Sequence, residues 1–273
     1  MIYLNNLDKV LVYSYGSVGS TSLHKAMELM HKNAVHTHID EPIKQIKKNE
    51  KVLLISLTRN LFDKNISRFF QQFYKYTPYR AAGENLHQVM QWAKSHLRQN
   101  YNIDAQISTI KWHYLDKEDD QHKQHYIQLA EDGKSTQDQQ ELRKHFSIFN
   151  KIHNKKLANW FDNLNSVLNT NVFDKPFDFK EKYSIHTAGN VTILTLRFED
   201  IQYWQSVFDK IFIQSPILEE KNRSSEKWYS DMYRQFKKDY KYSKDDIDLM
   251  SNMDWMQFYY KKDELDSIIK KYK

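Results

Sequence analysis

The chain has 273 residues, enough for one large domain or a domain with a substantial insertion. It contains no cysteine, which excludes disulfides, thiolate zinc sites and cysteine nucleophiles. Lys and Arg number 41 against 35 Asp and Glu, a net charge of +6 that suits an anionic ligand but falls well short of a nucleic-acid signature.

The first predicted element is the apolar run Val10–Tyr15, read as a buried strand. It breaks at Gly16 into a loop of small residues (Gly16, Ser17, Val18, Gly19, Ser20, Thr21, Ser22). Leu23, Ala26, Met27 and Met30 then follow at helical spacing. A strand, a Gly/Ser/Thr loop and a helix N-terminus together suit a phosphate, because backbone N–H groups, hydroxyls and the helix dipole all favour an anion there. A turn with ordinary Ser/Thr capping fits the same residues. The loop is not a Walker A motif, since G-x-x-x-x-G-K-[ST] is absent.

Ala34–Ile39 alternates as a short second strand, closed by Asp40, Glu41 and Pro42. Lys51–Thr58 is an unbroken apolar run, the pattern of a strand covered on both faces of a parallel sheet. A helix carrying Phe62, Ile66, Phe69, Phe70 and Phe73 follows and ends before Thr77-Pro78. From about 79 to 189 the texture predicts a mostly helical insertion, with helices over Glu84–Gln99, Ile103–Leu115, His122–Glu131 and Lys155–Leu168. A polar break covers Glu131–Gln140, and Phe173–Ala188 reads as a loop. Asn190–Phe198 restores the buried-strand pattern, and helices are expected at about Asp200–Phe212, Ser225–Tyr240, Lys244–Met250 and Asp263–Tyr272.

This order predicts a single α/β domain over 1–273, with a central parallel sheet, a P-loop-like strand–loop–helix, flanking helices and the helical insertion. Ligands in such sheets bind beyond the carboxyl ends of the strands, so the loops after Tyr15, Ile39, Thr58 and Phe198 are expected to converge. Arg59 stands at the mouth of the third strand and Ser67 follows eight residues later. Together they could clamp a second phosphate, and Arg59 could equally pair with Asp63. His36 and His38 share a strand face and could supply a base. They could also bind a metal with Asp40, although no further ligand is identified, or be polar residues of a half-buried strand. The N-terminus MIYLNNLDKV has no signal-peptide core and no apolar run reaches membrane-spanning length. A cytoplasmic setting is expected, or one peripheral to the inner face of the membrane.

Two anion sites, one after the first strand and one after the third with the pattern R-x7-S, resemble the sulfotransferases that use 3′-phosphoadenosine 5′-phosphosulfate (PAPS). GSVGSTSL resembles that family's loop for the 5′-phosphosulfate, and SLTRNLFDKNISRFFQQ its 3′-phosphate segment. Arg197-Phe198-Glu199-Asp200-Ile201 resembles a family R-Y-E-D-L stretch, although acids at a helix N-terminus account for it as well. Lys227-Trp228-Tyr229-Ser230 matches four letters of the motif that names the NKWYS family, associated with capsular polysaccharide synthesis. Asn154–Phe161, Asp174–Phe177 and Gln257–Leu265 are similar to that family too.

The resemblance implies sulfuryl transfer from PAPS to a hydroxyl on a capsular or surface glycan, with 3′,5′-adenosine bisphosphate as product and no metal. It implies that residues 17–22 hold the 5′ end and that Arg59 and Ser67 hold the 3′-phosphate. It also implies that His38, ahead of His36, acts as base. Ser17 departs from the pattern, because the family usually carries a lysine there. An electrostatic stabiliser of this kind is worth roughly two to four kcal/mol of barrier, or about 10²–10³ in rate. Arg223, Lys227 or Lys64 could supply charge from elsewhere, or the chain could bind nucleotide as a pseudoenzyme. A P-loop kinase is the remaining alternative, disfavoured by the missing Walker lysine.

Overall fold

A computed structural model describes residues 1–71, 136–219 and 230–273. It is an α/β structure built on a five-stranded sheet: β1 (Lys9–Tyr13), β2 (Ala34–Thr37), β3 (Val52–Thr58), β4 (Tyr183–Ala188) and β5 (Val191–Arg197). The strand order is β2-β1-β3-β5-β4, parallel except for β4, which runs antiparallel to β5. All seven residues of the central strand β3 are buried, which is why its sequence is apolar without alternation.

The helices are α1 (Ser20–Met30), α2 (Glu41–Lys44), α3 (Leu61–Gln71), α4 (Thr136–Ala158), α5 (Trp160–Leu168), α6 (Trp204–Ile211), α7 (Ser230–Asp239), α8 (Lys244–Ser251), α9 (Asp254–Tyr259) and α10 (Lys262–Tyr272). The chain divides into two compact units. The first comprises Met1–Lys64, Leu157–Arg223 and Asp248–Lys271; the second comprises Asn65–Lys156, Ser224–Ile247 and Tyr272–Lys273.

The first unit contains the whole sheet. Paired residues of neighbouring strands share a face, so the register sorts the layers. His36 pairs with Val12, and its ring lies 5.7 Å from that of His24 on α1, which places α1 over that face. Tyr13, on the opposite face, stacks on Trp160 of α5 at 4.3 Å. The second unit has an aromatic core in which Phe69, Phe146, Phe149, Phe236 and Tyr240 meet edge-on or stacked. Beside it, Asn65 Nδ2 donates to both Asn150 Oδ1 (2.8 Å) and Asn154 Oδ1 (2.7 Å).

The structure corrects three expectations. Residues 173–188, read as a loop, contain β4, joined to β5 by the two-residue turn Gly189-Asn190 with Gly189 at φ 58°. Only Ser184 of this edge strand is buried, so no hydrophobic alternation marks it, although the Gly-Asn turn is a hairpin signal. Helix α4 starts at Thr136, inside the supposed polar break, and Asn159 separates it from α5 where one helix was expected. Helix α9 was not anticipated at all; its six residues are too few to establish a period. The expected helices within 84–131 lie outside the described residues.

Among the described residues, Thr58 Oγ1 is buried without a hydrogen-bond partner. Thr58→Val keeps the shape and removes the orphaned hydroxyl, so it should raise unfolding free energy by about 1 kcal/mol. Urea melts measure this, and a loss of stability would mean that the hydroxyl is hydrogen-bonded in solution.

Candidate functional site

β1 delivers the chain to the loop between the sheet and α1, entirely within the first unit. Three of its six residues adopt left-handed backbone: Gly16 at φ 83°, Ser17 at 60° and Gly19 at 78°. Glycine does this freely, whereas Ser17 carries a cost of roughly 1–2 kcal/mol. Gly19 is also needed for space, because a Cβ there would lie 3.3 Å from Trp204 Cη2 and 3.4 Å from both Ile201 Cδ1 and Phe198 Cδ2. The loop therefore rests on Phe198, Ile201 and Trp204, which follow β5. Val18 and Ser20 turn inward and are buried, Ser22 is half-buried and Thr21 is exposed. Gly19 caps α1 without a side chain, and the first-turn N–H groups of a helix have no intrahelical acceptor.

Arg59, at the carboxyl end of β3, reaches this loop directly. Its Nη1 donates to the Ser17 carbonyl oxygen at 2.7 Å, and its guanidinium lies 4.3 Å from the centre of the Phe198 ring. The backbone beneath it is fixed by Tyr15, whose hydroxyl accepts from Arg59 N–H (2.7 Å) and donates to Arg59 O (3.0 Å). Burial pushes the Tyr15 phenol well above its ordinary pKa, so it remains a donor. Arg59 thus bonds to the loop and not to Asp63. Asp63 instead pairs with the N-cap residue of α3: its N–H donates to Asn60 Oδ1 (2.9 Å) while Asn60 Nδ2 donates to Asp63 Oδ2 (3.1 Å).

Of the other sequence candidates, Lys64 is buried with its ammonium 5.2 Å from the centre of the Tyr15 ring. Ser67 is buried on α3 and belongs to the second unit. Arg223 and Lys227 lie outside the described residues.

Three histidines and Ser14 form a cluster beside the loop, and His24 and Ser14 were not singled out from sequence. His36 Nε2 lies 3.5 Å and His38 Nδ1 3.4 Å from Ser14 Oγ, and the two rings are 4.5 Å apart. His24, from the second turn of α1, adds a third imidazole with its Nε2 3.3 Å from Ala34 O. His38 is exposed and His36 half-buried. Burial, then the neighbouring His38 and His24, pushes the His36 pKa down to about 4 and keeps it neutral at ordinary pH. Asp40, considered as a metal ligand, accepts a hydrogen bond from the Tyr13 hydroxyl. No group of three or more His, Cys, Asp or Glu among the described residues is arranged to hold a metal ion.

The Arg197–Ile201 stretch braces the site from below. Arg197 Nε donates to Asp200 Oδ2 (2.6 Å), and its Nη1 donates to Tyr259 O and Glu264 Oε2 (both 2.8 Å). Glu199 accepts from Asn60 N–H (2.9 Å), Asn60 Nδ2 (2.7 Å) and the Tyr260 hydroxyl (2.8 Å). The acid does serve a helix N-terminus, that of α3, and so fixes the turn that presents Arg59. Burial raises the Glu199 pKa against the opposing pull of these donors and of Arg59.

The fold and site define an α/β chain with a strand–loop–helix turn and an arginine laid against it. Comparisons with protein-family models, curated proteins and solved structures returned no match. No helix among the described residues is long and apolar enough to cross a membrane.

Proposed function

We propose that this chain is a sulfotransferase that moves the sulfuryl group of PAPS to a hydroxyl of a capsular or surface glycan. The observation that carries the reading is the 2.7 Å contact between Arg59 and the Ser17 carbonyl, which joins the two segments whose sequences resemble the family's anion sites. The loop supplies helix N-terminal N–H groups for a 5′-phosphosulfate, and Arg59 supplies a fixed, bidentate-capable cation for a further phosphate. In the reaction an acceptor oxygen attacks sulfur and the S–O bond to the 5′-phosphate breaks. The acceptor's proton passes to His38, which is exposed and adjoins the loop through Ser14. The products are the sulfated hydroxyl and 3′,5′-adenosine bisphosphate. The same reading places the protein in the cytoplasm or against the inner face of the membrane. A second reading, a nucleotide-binding pseudoenzyme, draws support from Ser17, which brings a hydroxyl and no charge to the position next to the leaving group.

Calorimetry with 3′,5′-adenosine bisphosphate against ADP tests the reading. The bisphosphate should bind more tightly, and Arg59→Ala should weaken it roughly 10- to 100-fold, the loss expected for one charge-assisted contact. Equal affinity for ADP, or an unchanged Arg59→Ala affinity in a folded variant, would reject the assignment.

A further inference from the structure

Ser14 is the last residue before the loop turns and is fully buried, so its sequence position reads as part of an apolar strand. Its backbone is registered by a hydrogen bond from Ser14 N–H to Thr37 O at 3.1 Å, which brings it level with the end of β2. Its two oxygens then face more partners than a core serine needs.

The fixed donors and acceptors around this cluster favour one arrangement of its protons. A carbonyl oxygen can only accept, and His38 Nδ1 lies 2.5 Å from Ser14 O, so that nitrogen carries a proton. Ser14 Oγ accepts the Gly16 N–H at 3.4 Å and lies the same distance from the His38 Nδ1–H. The hydroxyl has a single proton, and His36 Nε2 at 3.5 Å is the acceptor left for it. His36 is then protonated on Nδ1. His24 Nε2 faces the Ala34 carbonyl and is protonated on that nitrogen.

We propose that Ser14 is the positioning residue of this site: its carbonyl and hydroxyl hold His36 and His38 in their Nδ1–H tautomers, leave His38 Nε2 as the basic lone pair, and tie that base to the loop through Gly16 N–H. When His38 Nε2 takes a proton, the Nδ1–H stays on the Ser14 carbonyl, which supports the imidazolium without a carboxylate. His36 remains an acceptor and does not compete for the proton. The titratable groups that face His36 are His24 from α1 and His38 from just past the end of β2, and Asp40 beyond them is engaged by Tyr13. That His38 Nε2 receives the acceptor's proton rests on the sulfotransferase reading; the tautomers do not.

Long-range proton–nitrogen NMR of the full chain with labelled histidine, at about pH 7, tests the assignment. Wild type should show His24 protonated on Nε2 and both His36 and His38 protonated on Nδ1. In Ser14→Ala, His38 should keep its Nδ1 proton, because its carbonyl partner is backbone, while His36 shifts toward the Nε2-protonated form. A wild-type His36 or His38 protonated on Nε2 would overturn the proposal, as would a His36 signal unmoved by the substitution. If Ser14→Ala does not fold, the wild-type spectrum decides alone. Titrating the same sample with 3′,5′-adenosine bisphosphate separates the two claims. With glycine labelled as well, silent Gly16 and Gly19 resonances would reject the nucleotide site and leave the tautomer assignment standing.

Discussion

On the proposed sulfotransferase function, His38→Ala should reduce sulfuryl transfer by roughly 10²–10⁴-fold, the usual contribution of a positioned general base. Bisphosphate affinity should stay within about twofold, because His38 meets the chain at Ser14, before the residues proposed to hold phosphate, and does not bond to Arg59. His38, which lies just past the end of β2 and not on the strand as expected, is the better placed of the two histidines. Its ring is exposed, and its Nδ1 is committed to the Ser14 carbonyl, which leaves Nε2 directed elsewhere. His36 sits deeper, and burial together with its two histidine neighbours keeps its pKa at about 4. At neutral pH His36 can accept a proton only weakly, so His36→Ala should cost much less than His38→Ala. The pH profile of transfer provides an independent check. An acid limb near pH 4 in wild type would assign the base to His36, since that is where its imidazole gains a proton. Full transfer by a folded His38→Ala variant would remove His38 from the mechanism.

Much of this site was legible because parallel strands put their following loops at one edge. The apolar runs ending at Tyr15 and Thr58 identify neighbouring strands, so Ser17 and Arg59 could be expected close together, and they bond. β3 and β5 were legible for a related reason, since strands covered on both faces leave continuous apolar runs. β4 was not, because an edge strand needs to bury only Ser184. Ser14 and His24 escaped for a different reason. Ser14 belongs by spacing to a buried strand, and His24 falls between Leu23 and Ala26 of an apolar helix stripe. Their roles depend on the β1–β2 register and on which face of the sheet α1 covers, and neither is encoded in local spacing. Arg197 could be read only as part of a motif, because its partners Tyr259 and Glu264 lie more than sixty residues further on.

Arg197→Ala should lower unfolding free energy by about 3–5 kcal/mol, the range for removing one partner of a buried ionic network. The side chain is almost wholly inaccessible, and burial alone would oppose its charge. The hydrogen bonds to Asp200 and Glu264 outweigh that penalty and hold its pKa above the ordinary arginine value. The guanidinium also lies between 5.1 and 5.5 Å from the centres of the Phe177, Phe179 and Tyr260 rings. Removing it leaves Asp200 buried with Lys182, 3.5 Å from its Oδ1, as its remaining ionic partner among the described residues, and it takes a donor from the Tyr259 carbonyl. Tyr260 in turn holds Glu199, which holds Asn60 at the start of α3, so part of the loss should reach Arg59. Arg197→Lys keeps the charge but cannot span three acceptors with one ammonium, and should fall between wild type and alanine. Chemical denaturation of the three proteins gives the order, and bisphosphate affinity of the lysine variant reads the transmitted part. A loss below about 1 kcal/mol for Arg197→Ala would mean that the network is replaceable. In that case the Glu199–Asn60 contact and the Tyr15 hydrogen bonds would position the arginine that the proposed nucleotide site depends on without help from Arg197.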